Sequence, residues 1–336
     1  MSIAPSVPEL QQRVQRRVGG WYERVTARWC YVFLVPALVL TAMFTFYPMV
    51  MSWVYSTMRW SGFTEQMTFI GLDNYAELVG DPMFWRAFGR SAIFMLVGTP
   101  IRVVLALIVA IILNQQVMRL SPLFRTMFFL PVTAAAAVIG VVMTFVLSPN
   151  NGPLNTVLVQ AGLVDQPVEF LSDPSISLWT VLLVHVWKNF GITMIYWLAA
   201  LQTVPQEYVE AARIDGAGVW GILRHIRLPI LLPFAVIIII LTAKDNLHAF
   251  GIVWTMTGGG PYFSTQLIEI YIYQTAFQPE LGSVPRLGYA SAAGCFFGVA
   301  TLIFTVIQLW AARKVAEARQ TISSGPPVQD RQGERA

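Results

Sequence analysis

Uncharged apolar runs recur along the chain, and six of them reach the length of a membrane-crossing helix. They cover Trp29–Met51, Ser91–Leu113, Phe124–Leu147, Leu178–Leu201, Leu228–Phe250 and Gly288–Ala312. A hydrocarbon core about 30 Å thick takes roughly 20 apolar helical residues. Ten-residue segments of alternating hydrophobicity, the mark of a transmembrane barrel, do not occur. The pattern predicts an all-α membrane protein with six transmembrane helices.

Polar stretches separate the runs. Residues 1–28 read as a basic, partly amphipathic arm, 29–312 as one transmembrane domain, and 313–336 as a polar, disordered tail containing Gly325-Pro326-Pro327. The segment between the first two runs holds Asp81-Pro82, a helix start in which Asp caps free amides and Pro suits the first helical position. Asn150-Asn151-Gly152-Pro153 and Asp173-Pro174 mark turns between the third and fourth runs. No internal repeat or coiled-coil heptad is visible.

Composition agrees with burial in lipid. Only 12% of residues are charged and 56% are hydrophobic, with a mean hydropathy of +0.59; a soluble domain carries about 25% charge. With the N-terminus in the cytoplasm, fifteen of the 22 basic residues lie inside and Arg59, Arg86, Arg90 and Arg286 outside, while Arg102, Lys188 and Lys244 fall within spans. That asymmetry follows the positive-inside rule and puts both termini in the cytoplasm, as expected of a multi-pass protein of a bacterial inner membrane. The basic pI of about 9.2 then reflects topology, with lipid rather than nucleic acid as the contact. The first run is too long for the core of a signal peptide and reads as a retained span. Cys30 and Cys295 are too far apart to suggest a disulfide framework or a metal site.

The stretch between runs four and five carries the most information. Pro205 can open a helix, Glu207 and Glu210 suit its early turns, and Ala211-Ala212 offer a smooth surface. Gly216 allows the backbone to turn, Val219–Ile226 resumes a short helix, and Leu228-Pro229 is expected to stop it at the membrane. The result is a helix-turn-helix knob. Read blandly, it is an ordinary amphipathic loop.

Its residues, however, resemble the EAA motif of binding-protein-dependent ABC importer permeases. Glu210, Ala211, Ala212, Gly216, Ile226, Leu228 and Pro229 match the motif at every spacing. The resemblance implies a type I ABC importer permease fold and makes this loop a coupling helix that docks on an ATP-binding subunit; Glu207 and Asp215 are assigned to the same surface. Ile70-Gly71-Leu72-Asp73-Asn74-Tyr75 with Asp81-Pro82, Thr257-Gly258-Gly259-Gly260-Pro261 and Gly288-Tyr289-Ala290-Ser291-Ala292 are similar to segments of the MalF-like carbohydrate branch. The implied partners are a second permease subunit in a heterodimer, two copies of the ATP-binding subunit and an external solute-binding protein. No Gly-Lys-Ser/Thr sequence that could cradle phosphates occurs here. ATP and magnesium are therefore expected on the partner ATPase, with no cofactor on this chain.

Ionisable groups inside spans are costly and often mark a solute path. His185, Lys188 and Asn189 share one face of span four, and Thr242, Asp245, Asn246 and Ala249 share one face of span five. Both stripes are expected to line the path. On an ungapped alignment from Trp187 and Gly260-Pro261, the resemblance implies that they correspond to sugar-contacting places in the maltose permease. Amides, a carboxylate and aromatics such as Trp187 or Trp254 suit the hydroxyls and ring faces of a sugar. Alternatively, Lys188 and Asp245 simply neutralise each other across the bundle, and His185 is a satisfied interior histidine. Arg102 follows Gly98-Thr99-Pro100 and is expected to donate to carbonyls freed by that kink. Gly294-x-x-x-Gly298 would permit close helix packing. An ion-coupled secondary transporter using Lys188, Asp245 and His248 is the competing reading, although neither inverted repeats nor broken helices are evident. The three histidines are too scattered to suggest an enzyme.

Overall fold

The computed structural model describes residues 29–114, 120–278 and 284–323; the arm at 1–28 and the residues after Ser323 lie outside them. Helix α1 covers Trp29–Ser56 and a two-residue hairpin, Met58–Arg59 (β1) with Thr68–Phe69 (β2), follows it. Then come α2 (Asp73–Gly80), α3 (Pro82–Leu113), α4 (Ser121–Thr133), α5 (Ala136–Val146), α6 (Pro153–Gln160) and α7 (Ser177–Leu201). The remainder is α8 (Gln206–Ile214), α9 (Val219–Ile222), a π turn (Leu223–Arg227), α10 (Leu228–Leu247), α11 (Phe250–Thr257), α12 (Ile268–Phe277) and α13 (Leu287–Ser323). Five helical stretches are long and apolar enough to cross a membrane, and α4 with α5 makes a sixth if the bent pair counts as one span.

Helix α3 lies at the centre, packed against α7 and α10. It starts at Pro82, nine residues before the expected Ser91, because Asp81 Oδ1 accepts the amides of Met83 at 2.8 Å and Phe84 at 3.4 Å. At 1.5 Å per residue, its 32 residues exceed a bilayer core, so part of α3 stands beyond the membrane. The apolar window of α1 has none of its residues buried, and α1 meets the bundle mainly through α13.

The third span is broken, contrary to the continuous helix expected over Phe124–Leu147. Its halves meet at 98° across Ala134 and Ala135, both extended (ψ 143° and 139°). Pro131 removes a donor just before the break, and each half has its own partner. Helix α4 packs on α7 and α5 on α11. Glycines set both approaches: a Cβ on Gly191 would lie 2.2 Å from Phe128 O, and one on Gly140 would lie 1.8 Å from Thr255 Oγ1. By contrast, Gly294 and Gly298 face open space, and Gly288 is the close contact of α13, its Cβ position lying 2.0 Å from Met58 O.

Two further expectations change. Leu228-Pro229 does not stop the helix; the π turn carries it through, with Leu228 N bonded to Leu223 O five residues back, a spacing that accommodates the missing proline donor. The last span also continues as helix to Ser323, so 313–323 are not part of a disordered tail.

Candidate functional site

Where α3, α7 and α10 meet, polar side chains form a connected group inside the bundle. Arg102 donates from Nη1 to Asp245 Oδ2 at 2.5 Å and from Nε to Thr193 Oγ1 at 2.8 Å. Asn246 Nδ2 donates to Thr99 Oγ1 at 2.9 Å, and His185 Nε2 stands 3.7 Å from Asp245 Oδ2. Lys188 Nζ finds Asn189 Oδ1 at 3.5 Å, while Asn189 Nδ2 donates to His185 O at 3.2 Å. Asp245 thus pairs with Arg102 rather than Lys188, and Arg102 binds side chains rather than carbonyls freed near Pro100.

Only part of the predicted stripes faces open space. A cavity of about 310 Å³ is lined by Thr242 and Asp245 together with Arg102, Tyr196, Lys244 and His248. His185, Lys188 and Asn246 are buried and hold this wall from behind. Ala249 leaves the stripe: the chain departs from helix at His248 (φ −106°, ψ 61°), and Ala249 is buried with Phe94 and Val181. Trp187 and Trp254 are not on the cavity wall; Trp254 stacks on Phe250 with centroids 5.8 Å apart. Thr242 Oγ1 is buried without a partner. The cavity therefore offers a carboxylate fixed by a buried guanidinium, with hydroxyl and imidazole groups around it. That set can exchange hydrogen bonds with a polar solute. Among the described residues no cluster is placed to hold a metal ion.

Sequence reasoning missed Arg102, Tyr196 and Lys244 as cavity residues. A signal existed for Arg102: Asp245 is the one acidic residue inside the predicted spans, and a buried arginine needs a carboxylate. Arg102, Lys188 and Lys244 all competed for it.

At the far end of α7, the knob is built as its residues suggest. Helix α8 ends in a Schellman arrangement, with Gly216 N bonded to Arg213 O at 3.1 Å and Ala217 N to Ala212 O at 2.8 Å. Gly216 sits at φ +81°, where a side chain is strained. Val209 and Ile222 are buried with Leu113, Leu201 and Leu231, and Ala212 and Ile226 pack on them, so the knob is anchored to the bundle. Glu207, Glu210, Ala211, Asp215, Gly216 and Leu228 are exposed and Pro229 is half-buried. Sequence reasoning missed the apolar rim: Ile214 is 86% exposed and Trp220 73%.

Comparison with known proteins bears on these two regions. The model of the family described as "binding-protein-dependent transport system inner membrane component" matches residues 82–317. A probable ABC transporter permease protein of Bacillus subtilis, YurN, is 33% identical over 83% of this chain and 94% of its own length. The lactose transport system permease protein LacF of Rhizobium radiobacter is 32% identical over 88% of this chain and 95% of its own. A bacterial alginate ABC transporter, solved in complex with a periplasmic protein bound to alginate pentasaccharide, has the same fold: TM-score 0.73, 23% identity, covering 88% of this chain and 97% of its own.

Proposed function

Because the chain belongs to the binding-protein-dependent transport-system inner-membrane components, we propose that it forms one side of the path by which an ATP-driven importer takes up a sugar or sugar-like solute. It is a multi-pass permease subunit of an ABC transporter and not an enzyme. The observation that carries the reading is the intramembrane cavity with Asp245 fixed by Arg102 at 2.5 Å, a hydrogen-bonding wall connected by α7 and α10 to an exposed knob. The lactose permease relative and the alginate transporter support carbohydrate as the cargo class.

In this reading an external solute-binding protein delivers the solute, and a second permease subunit completes the path. ATP and magnesium sit on two copies of a separate ATP-binding subunit. Closure of those subunits presses on the knob through Glu207, Glu210, Ala211, Asp215 and Gly216, with Ala212, Ile226, Leu228 and Pro229 linking it to the bundle. The pathway exposes Thr242 and Asp245 alternately to either side, with His185, Lys188, Asn189 and Asn246 supporting them. The test is uptake into proteoliposomes holding the complete importer. Radiolabelled lactose and maltose should enter only when ATP is present on the knob side, unaffected by an uncoupler. Uptake abolished by the uncoupler and independent of ATP would support an ion-coupled carrier instead.

A further inference from the structure

At the end of the bundle opposite the knob lies a second cavity, of about 440 Å³, among the start of α3, the turn after α11, helix α12 and the start of α13. We propose that it is a docking subsite for one ring of an uncharged sugar, separate from the intramembrane path. The volume falls within the roughly 300–1,000 Å³ of small-molecule sites.

Its charges are already matched. Asp81 Oδ2 accepts the hydroxyls of Tyr289, at 2.7 Å, and of Tyr271, while Oδ1 caps α3. Arg286 forks onto Glu77 at 2.8 and 2.5 Å. Among the described residues, a phosphate or carboxylate entering here meets no free cation, and an amine meets no free carboxylate. One neutral acceptor is left over. Gln274 Nε2 donates to Gly258 O at 2.9 Å, which fixes its amide and turns its Oε1 toward Gln266. Gln266 Nε2 donates to that oxygen at 2.7 Å, leaving Gln266 Oε1 buried with no partner in a side chain only 3% exposed. A buried carbonyl is costly to leave unpaired, and a small turn of the Gln266 amide toward the cavity would let a sugar hydroxyl satisfy it.

The remaining wall suits the apolar face of the same ring. Phe263 lines the cavity and is 37% exposed, held at φ +60°. Bulky residues rarely adopt that backbone region, and those that do gather at ligand clamps. An unpartnered amide and an aromatic ring lining one cavity select a polyhydroxy ring over an ion. The proposal rests on the sugar reading above for its cargo class, but not on the Arg102–Asp245 cavity.

Saturation-transfer NMR on the complete importer in nanodiscs tests it, with maltose and lactose as neutral probes and glycerol 3-phosphate as the anion. The wild type should give signals from at least one disaccharide and none from glycerol 3-phosphate. Gln266→Met and the more exposed Phe263→Ala should each reduce the sugar signal about fivefold, as expected for one lost hydrogen bond or stacking face. Gln206→Ala, on the knob and outside both cavities, should retain it. Unchanged signals in both cavity variants overturn the proposal. So does an equal loss in Gln206→Ala, or equal binding of the anion. No disaccharide signal in the wild type also overturns it. Binding-protein-stimulated ATP hydrolysis, read on the same nanodiscs, then shows whether the importer reading still stands.

Discussion

Arg102 and Asp245, 143 residues apart in sequence, meet at 2.5 Å, and only the acid faces open space: its side chain is 45% exposed, that of Arg102 2%. The pair is therefore lopsided. Removing the acid strands a guanidinium inside the bundle, whereas removing the base leaves a carboxylate beside a cavity that water can enter. Asp245→Ala should cost about 3 kcal/mol of thermal stability in detergent and Arg102→Met about 1. The double variant should recover about 1–2 kcal/mol relative to the sum. Lys188→Met in the Asp245→Ala background should recover nothing, since Lys188 reaches Asn189 instead; recovery there would refute the assigned partner.

The glycines that admit α4 and α5 should be intolerant of a single methyl group. Gly191→Ala places a Cβ 2.2 Å from a backbone oxygen of Phe128, so backbone must shift, at about 1–3 kcal/mol. Gly294→Ala and Gly298→Ala, in open space, should melt within about 0.5 kcal/mol of wild type. Equal melting of all three would remove the packing argument.

The knob should behave as a contact surface. Glu210→Lys and Gly216→Pro should each weaken co-purification with the ATP-binding subunit and reduce uptake, the second because Gly216 holds φ +81°. Trp220→Ala removes an exposed ring with little effect on folding, and it should lower affinity about 30-fold if it is a hot spot. Gln206→Ala should be nearly silent. Wild-type association in both Glu210→Lys and Gly216→Pro would end the coupling assignment.

Orientation is checked with reporters. One fused after Arg313 should read cytoplasmic, and one inserted near Asn151 should read external; the same side for both is incompatible with the three crossings expected between Asn151 and Arg313.

Asp81 gives a pH signature. Burial pushes its carboxyl up, but hydrogen bonds from Tyr271, Tyr289 and the amides of Met83 and Phe84 outweigh this and hold it below the usual carboxylate range. A depressed folded value means stability that is present above the unfolded value of about 3.9 and lost as pH falls through the folded one. The melting temperature should therefore drop below about pH 4, and the gap between wild type and Asp81→Asn, open at pH 7, should close there. A constant gap from pH 7 to 3 would contradict it.

Much of the fold was legible because it depends on local properties. Apolar run length located the spans, and Asp81-Pro82 and Gly216 carry their caps in their own chemistry. What escaped depends on distant residues. Pro131 was visible, but the break at Ala134–Ala135 depends on which helices receive each half, and Gly191 and Thr255 settle that from 58 and 122 residues beyond Thr133. Helical spacing put Ala249 beside Asp245 because nothing in its own residue type announces that His248 leaves the helix. Arg102 was visible as a buried charge, but its choice of Asp245 depends on the rotation of α3 against α10.

The broken third span has a mechanical consequence. Its halves are gripped by different helices, α7 and α11, and the link between them is a pair of alanines in extended backbone. Any sliding of α7 relative to α11 must pass through that joint. Turning there requires rotation about a few single bonds and ruptures no turn of helix, so the chain has a built-in universal coupling between two stiff rods.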